Sequence, residues 1–298
     1  MDLSVVILNY NTRGILSQCL HKAEKALQNL QAEIIVVDNA STDGSRVMVK
    51  EKFPNVKLVE LEENIGFSAG NNVGAAEASG KYLCFLNSDV LVNQDTFIKL
   101  FDYLEKDDKA GVVTPKLVLR NNQLDPDCHR GFPTPWAALS YFSGLEKMFP
   151  KSRIFGQYHQ LYKNLDQTHQ IDACCGAFLM VRRKLGEKIG WWDEQYFFYG
   201  EDLDFCYQVK EQGWSVVYFP LAEAVHYKGA SSGLRKETKD LKVERKTRIK
   251  AAQESVRAME IFYNKFYQEK YPLLVTKVVL LGIRVKGYLR ILFNYLKK

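Results

Sequence analysis

The most restrictive feature of this sequence is a change of hydrophobic period within its first 38 residues. Leu3 to Leu8 is a short β-rich run, Leu-Ser-Val-Val-Ile-Leu, and Glu33 to Val37 is a second that ends at Asp38. Runs of this kind suit strands buried on both faces. Between them Leu16, Leu20, Ala23, Ala26, Leu27 and Leu30 recur at helical spacing. Strand, helix and strand in that order form a βαβ unit with parallel strands.

The alternation continues. The pattern predicts a helix from Ser41 to Lys52, a strand from Val56 to Leu61, a small-residue helix from Gly70 to Ala78 and a strand from Tyr82 to Leu86, just ahead of Asn87-Ser88-Asp89. A helix after Leu91 and a strand from Gly111 to Leu119 come next. Arg120 to about Gln170 has no clear period and reads as loops. Beyond it come a strand from Ala177 to Val181, helices over Lys184 to Ile189 and Leu203 to Gln212, and a strand from Ser215 to Phe219 that Pro220 should close. The expected fold is therefore α/β, a mixed and mainly parallel sheet flanked by helices. With 298 residues and 46% hydrophobic content, the chain can bury a sizeable core, which excludes general disorder.

Charge is unevenly distributed. The net charge is +6, yet the segment from Arg235 onward has seventeen Lys and Arg against six Asp and Glu. The body is thus acidic and the tail basic, which divides the chain into a domain over 1–233 and a helical extension over 234–298. Neither an uninterrupted apolar run of about 18 residues nor a signal-peptide pattern is present. The six cysteines show no CxxC pair, so reduced thiols and a cytoplasmic location are expected.

Open parallel sheets bind ligands at the carboxyl ends of their strands. Asn9, Tyr10 and Asn11 lie at that end of the first strand, Asp38 and Asn39 at that of the second, and Asn87 and Asp89 at that of the fourth. Asp38 can accept from a base imide or ribose hydroxyl, Tyr10 can stack on a base, and Asp89 offers a hard oxygen to a divalent cation. Either carboxylate alone reads more simply as ending a strand and capping the turn that follows.

The ordered motifs carry more weight than any single residue. Val5-Val6-Ile7-Leu8-Asn9-Tyr10-Asn11, Val36-Val37-Asp38-Asn39-Ala40-Ser41-Thr42-Asp43-Gly44, Asn64-Ile65-Gly66-Phe67 with Gly70-Asn71-Asn72-Val73-Gly74, and Leu86-Asn87-Ser88-Asp89 together resemble family 2 glycosyltransferases. The resemblance continues through Trp191-Trp192-Asp193-Glu194, Phe198-Tyr199-Gly200-Glu201-Asp202-Leu203-Asp204-Phe205-Cys206 and His226-Tyr227-Lys228-Gly229-Ala230-Ser231. It implies the GT-A fold and a nucleotide-sugar site. Tyr10 and Asp38 would serve the base, Asn64 and Asn71 the nucleotide pocket, and Asn87 the ribose or diphosphate. A divalent metal, Mg2+ or Mn2+, would be held by Asp89 with His226 nearby. The usual Asp-x-Asp metal motif stands here as Asn87-Ser88-Asp89, with an amide for its first carboxylate.

The same resemblance makes Asp202 the general base, with Glu201 beside it, and places Trp192, Asp193 and Glu194 toward sugar and acceptor. Arg130-Gly131-Phe132-Pro133-Thr134-Pro135-Trp136 looks like a loop of the rhamnosyltransferase-like subgroup, where Arg130 would meet phosphate. The activity this resemblance implies is that of an inverting transferase acting on a glycan or lipid-linked saccharide in cell-envelope polysaccharide synthesis, with L-rhamnose as a donor sugar the subgroup suggests. The competing reading is a sugar-binding scaffold without turnover, favoured by the missing carboxylate. A Gly-x-Gly-x-x-Gly after the first strand is absent, which sets aside a dinucleotide dehydrogenase.

After Pro272, Leu274, Val278, Leu281, Val285, Leu289, Leu292 and Leu296 share one helical face, flanked by Lys286, Arg290 and Lys297 on one side and Lys277 with Arg284 on the other. This layout suits an anionic membrane surface, or a face packed on protein. Without a nucleic-acid-binding signature, the basic charge points to lipid at the inner face of the plasma membrane.

Overall fold

The computed structural model describes residues 1–228 and 245–296. Its first half follows the period changes closely: β1 (Leu3–Asn9), α1 (Arg13–Ala26), β2 (Ala32–Asp38), α2 (Ser45–Lys52), β3 (Lys57–Glu60), α3 (Phe67–Ala76) and β4 (Tyr82–Asn87). The chain continues through β5 (Val90–Val92), α4 (Thr96–Lys106), β6 (Ala110–Leu119), α5 (Pro135–Phe142), α6 (Leu145–Met148), β7 (His169–Ile171), β8 (Phe178–Arg182), α7 (Arg183–Ile189), α8 (Glu201–Glu211) and β9 (Ser215–His226). Two long helices, α9 (Arg245–Phe266) and α10 (Leu273–Leu296), close it.

The strands form one mixed sheet in the order β3-β2-β1-β4-β8-β6-β9-β5, with β7 pairing to β9. β3, β2, β1 and β4 are mutually parallel, whereas β8 runs antiparallel to both β4 and β6. Register brings the strand ends level: Asn9 faces Asp38 and Leu8 faces Asn87. Reversal of β8 carries the residues before Phe178 to this same edge, where the Asn87 N–H donates to the Ala177 carbonyl at 2.8 Å.

Two expectations need correction. Pro220 does not end its strand, because β9 runs on to His226. The pairing with β6 jumps from Pro115–Phe219 to Lys116–Glu223, so Pro220 sits in an irregularity where no ladder hydrogen bond needs its missing N–H. Residues 120–170 also carry structure that their sequence period does not announce. α5 starts on Pro135 with Thr134 capping the Ala137 N–H, and Arg130 forms an isolated bridge with Ala173.

Phe262, Tyr263, Phe266 and Tyr267 of the C-terminal region belong to the same buried cluster as the sheet residues. The extension thus contributes to the core. The boundary expected after residue 233 and the Gly229-Ala230-Ser231 end of the last motif lie outside the described residues. All six cysteines are buried free thiols.

Candidate active site

The edge defined by β2, β1 and β4 is built around Asn9. Its side-chain amide donates to Asp38 Oδ2 at 2.8 Å and to Ser41 Oγ at 3.0 Å, while its carbonyl accepts from the Thr12 hydroxyl at 2.6 Å. Thr12 Oγ1 in turn lies 2.8 Å from Ser88 Oγ, tying the loop after β1 to the Asn87-Ser88-Asp89 turn. Buried polar groups arranged this way satisfy one another and hold the loops in one geometry.

Asp38 is 1% exposed. Its Oδ1 accepts from the Ser41 N–H at 2.9 Å and from Arg46 Nε at 2.7 Å, an arginine that sequence reasoning missed. The carboxylate therefore organises the loop, and the exposed ring of Tyr10 is the accessible group at this end. Asn64 accepts from Asn39 and from the Gly66 N–H, both at 3.0 Å, and the buried Asn71 donates to the Phe67 carbonyl at 3.0 Å. Both shape the turn into α3 from within.

Asp89 lies beside His226, whose Nε2 is 3.4 Å from Asp89 Oδ1. On the other side of the ring, Nδ1 is 2.7 Å from Asp125 Oδ2. Lys228 is paired with Asp125 and lies 2.6 Å from Asp127. Burial disfavours the imidazolium, but Asp89 and Asp125 outweigh it and push His226 up to about 9. Burial likewise opposes the Asp125 carboxylate, yet His226 and Lys228 hold it below the ordinary range.

Does this donor set fit a divalent cation? Asp89 offers a carboxylate oxygen and His226 an imidazole nitrogen, provided Nε2 gives up its proton. Asp125 behind the ring is the outer partner that ligating histidines need. Among the described residues no group of three or more His, Cys, Asp or Glu is placed to hold a metal. These two donors are an incomplete set, so a hard cation here would have to take its remaining oxygens from a diphosphate and water.

Asp202 opens α8. Tyr199 and Gly200 before it have φ of +73° and +84°, and a tyrosine held in that region stores about 1–3 kcal/mol of strain. Asp202 Oδ2 accepts from a terminal nitrogen of Arg130 at 2.6 Å, and the same nitrogen donates to the Cys174 carbonyl at 3.1 Å. Arg130 is buried. The guanidinium expected to meet a phosphate instead orients the candidate base and links it to the strand edge through residues 174–177. Glu201 is buried with Oε2 unpartnered, and burial together with the Asp202 charge pushes it up to about 8.

Within the Trp-Trp-Asp-Glu segment, Trp192 departs from expectation. Trp192 is 1% exposed, with ring centroids at 5.5 Å from Phe67, 5.0 Å from Phe85 and 4.7 Å from Phe205. A side chain enclosed this way offers no surface to an acceptor. Asp193 is paired with Lys265 at 2.6 Å, and Glu194 accepts from Asn72 at 2.9 Å. All three residues join elements together.

A family model for glycosyl transferase family 2 matches residues 4–190. The chain belongs to that family. Among its relatives, an L-rhamnosyltransferase of Mycobacterium tuberculosis named for N-acetylglucosaminyl-diphospho-decaprenol is 27% identical over 248 residues, 78% of each chain. The low-salt glycan biosynthesis hexosyltransferase Agl10 of Haloferax volcanii is 26% identical over 235 residues, covering 76% of this chain and 67% of that protein. The fold is shared with a mannosyltransferase of Pyrobaculum calidifontis solved with GDP-mannose and Mn2+, with a TM-score of 0.56 and 18% identity over 98% of this chain and 72% of that one.

Proposed function

We propose that this family 2 member is a metal-dependent, inverting glycosyltransferase. It moves a sugar from a nucleoside diphosphate donor to a hydroxyl of a glycan or lipid-linked saccharide in cell-envelope polysaccharide synthesis. The observation that carries the reading is Asp202, fixed by Arg130 at 2.6 Å and joined through Cys174 to the strand edge that ends in Asn87 and Asp89. A rhamnosyl donor is the first candidate, on the strength of the Mycobacterium relative.

In this mechanism Tyr10 stacks on the base while Asp38, Asn64, Asn71 and Asn87 hold the pocket around the nucleotide. Asp202 takes the proton from the acceptor hydroxyl as its oxygen bonds to the anomeric carbon. The anomeric bond to the diphosphate breaks on the opposite face, and its electron pair leaves with the diphosphate. One displacement inverts the configuration. A divalent cation, Mg2+ or Mn2+, held by Asp89 and His226 would stabilise negative charge on the leaving group. The helix after Pro272 would keep the protein against the inner face of an anionic membrane, near a lipid-linked acceptor.

With dTDP-L-rhamnose, Mg2+ or Mn2+ and a lipid-linked saccharide, the wild-type protein should release nucleoside diphosphate and form an inverted linkage. Asp202→Asn should reduce turnover about 10²- to 10⁴-fold while leaving donor affinity by calorimetry unchanged. A fully active variant would remove Asp202 from the role of base. Donor binding without release across sugars and acceptors would instead favour the scaffold reading that Asn87-Ser88-Asp89 invites.

A further inference from the structure

α10 is attached to the body by one face only. Thr276 is buried, its Oγ1 3.2 Å from the Tyr263 hydroxyl, and Val279, Leu280 and Ile283 pack against the core. At Gly287 a β-carbon would fall 2.3 Å from a Val256 methyl, so α9 and α10 touch closely there. The opposite face is bare: Leu274, Val278, Leu281, Val285, Leu289 and Leu292 are 38–74% exposed. The spacing of these six keeps them on one stripe along the helix. Tyr288 and Tyr295 add two exposed aromatic rings to the helix.

Charge borders the stripe. Lys277 and Arg284 line one edge and Lys286 and Arg290 the other, and the described helix contains no acidic residue. Arg284 is tied to Glu260 at 2.6 Å and Arg290 to Ser255 at 3.0 Å, which turns these basic heads toward α9 and away from the centre of the stripe. Apolar centre, aromatic additions and basic borders match the transverse profile of a lipid interface. Among the described residues no helix is long and apolar enough to cross a membrane, so such a helix would lie in the interface plane.

A second element meets the Lys286 border of this stripe. The Lys286 ammonium lies 2.8 Å from the centroid of the Phe142 ring and 5.9 Å from that of Tyr141, at the end of α5. Phe142 is itself 58% exposed, and Leu139, Met148 and Ile154 nearby in the chain are exposed to a similar or greater extent. The Trp136 indole N–H donates to the Ile154 carbonyl at 2.8 Å, closing this segment into one unit. Arg130, which holds the candidate base, lies just ahead of this stretch in the chain.

We infer that α10 and the 135–154 segment form one composite docking surface for an anionic lipid bilayer, joined at Lys286 and Phe142. This rests on the membrane placement proposed for α10 and extends it to a second element. The segment that follows Arg130, the residue holding the candidate base, would then sit at the lipid surface, where a lipid-linked acceptor presents its sugar.

The test is sedimentation of the full chain with vesicles of phosphatidylcholine containing 30% phosphatidylglycerol, and with pure phosphatidylcholine. Strong preference for the anionic vesicles is expected. Leu281→Glu with Val285→Glu should weaken binding at least tenfold, and Phe142→Glu with Met148→Glu several-fold, with circular dichroism and donor affinity unchanged for both. Unaltered binding by the second variant with loss by the first would overturn the composite surface and leave α10 alone as the contact. No vesicle binding by the wild type, together with a dimer that the first variant splits, would overturn both and assign the stripe to a second copy of the chain. Donor turnover on a soluble acceptor reports on the catalytic reading independently of all these outcomes.

Discussion

Asp202 and Glu201 are neighbours in the chain with opposite surroundings, and a pH experiment tests what burial does to Glu201. Asp202 has a guanidinium within 2.6 Å, whereas Glu201 is buried with one oxygen unpartnered and is pushed up to about 8 by burial and the adjacent Asp202 charge. In the unfolded chain it titrates near 4.5. The folded state therefore holds more protons between these two values, and unfolding free energy should fall as pH rises through that window, then level off above it. The slope from one such group is at most about 1.4 kcal/mol per pH unit. Glu201→Gln keeps the shape without the charge, so its urea midpoint should match the wild type near pH 5 and exceed it near pH 8.5. Equal pH dependence in the two proteins would show that Glu201 titrates normally. Side chains at strand ends, such as Asp38 and Asp89, were legible in the sequence because they come directly after a local β run. The pairing of Arg130 with Asp202 spans 72 residues and that of Asp125 with His226 spans 101, and no local period encodes either.

At the level of elements, α3 shows why a helix can be rich in glycine and still form. A β-carbon at Gly74 would lie 2.3 Å from a Val6 methyl and 3.1 Å from one of Val37, and at Gly70 it would lie 2.5 Å from a Leu8 methyl. Small residues let α3 settle directly onto β1 and β2, which seats the Asn64 turn and the start of α3 against the edge that holds Asn9 and Asp38. Gly74→Ala should destabilise the fold by about 1–3 kcal/mol through overpacking, read as a lower urea midpoint. Gly14→Ala in α1 has nothing within 4 Å of the added carbon and should leave stability unchanged or slightly raised. A loss at position 74 no larger than that at position 14 would refute close packing of α3. The small-residue pattern was visible in the sequence, but the partners were not. Trp192 illustrates the converse: its motif is specific, and a specific motif can mark a packing site as readily as a ligand contact.

For the whole molecule, the question is what fastens the C-terminal helices to the catalytic body. Lys265 of α9 reaches Asp193 at 2.6 Å and Asp204 at 2.8 Å, so one ammonium joins α9, the segment before Asp202 and α8. Asp204 is fully buried, and burial raises its pKa although Lys265 and Gln208 pull the other way. Such a carboxylate costs little while its cation is present and a great deal once it is removed. Lys265→Met should therefore destabilise the protein by about 2–3 kcal/mol, below the usual range for a buried pair because Lys265 itself is partly open to water. Adding Asp204→Asn removes the uncompensated charge and should restore more than half of that loss. Equilibrium unfolding of the two single variants and the double variant measures the coupling. Additive losses would mean that Asp204 does not depend on Lys265. The sequence shows Lys265 only as one charge in a basic tail. Its role comes from the body's acidic groups, which become buried only when the chain has folded around them.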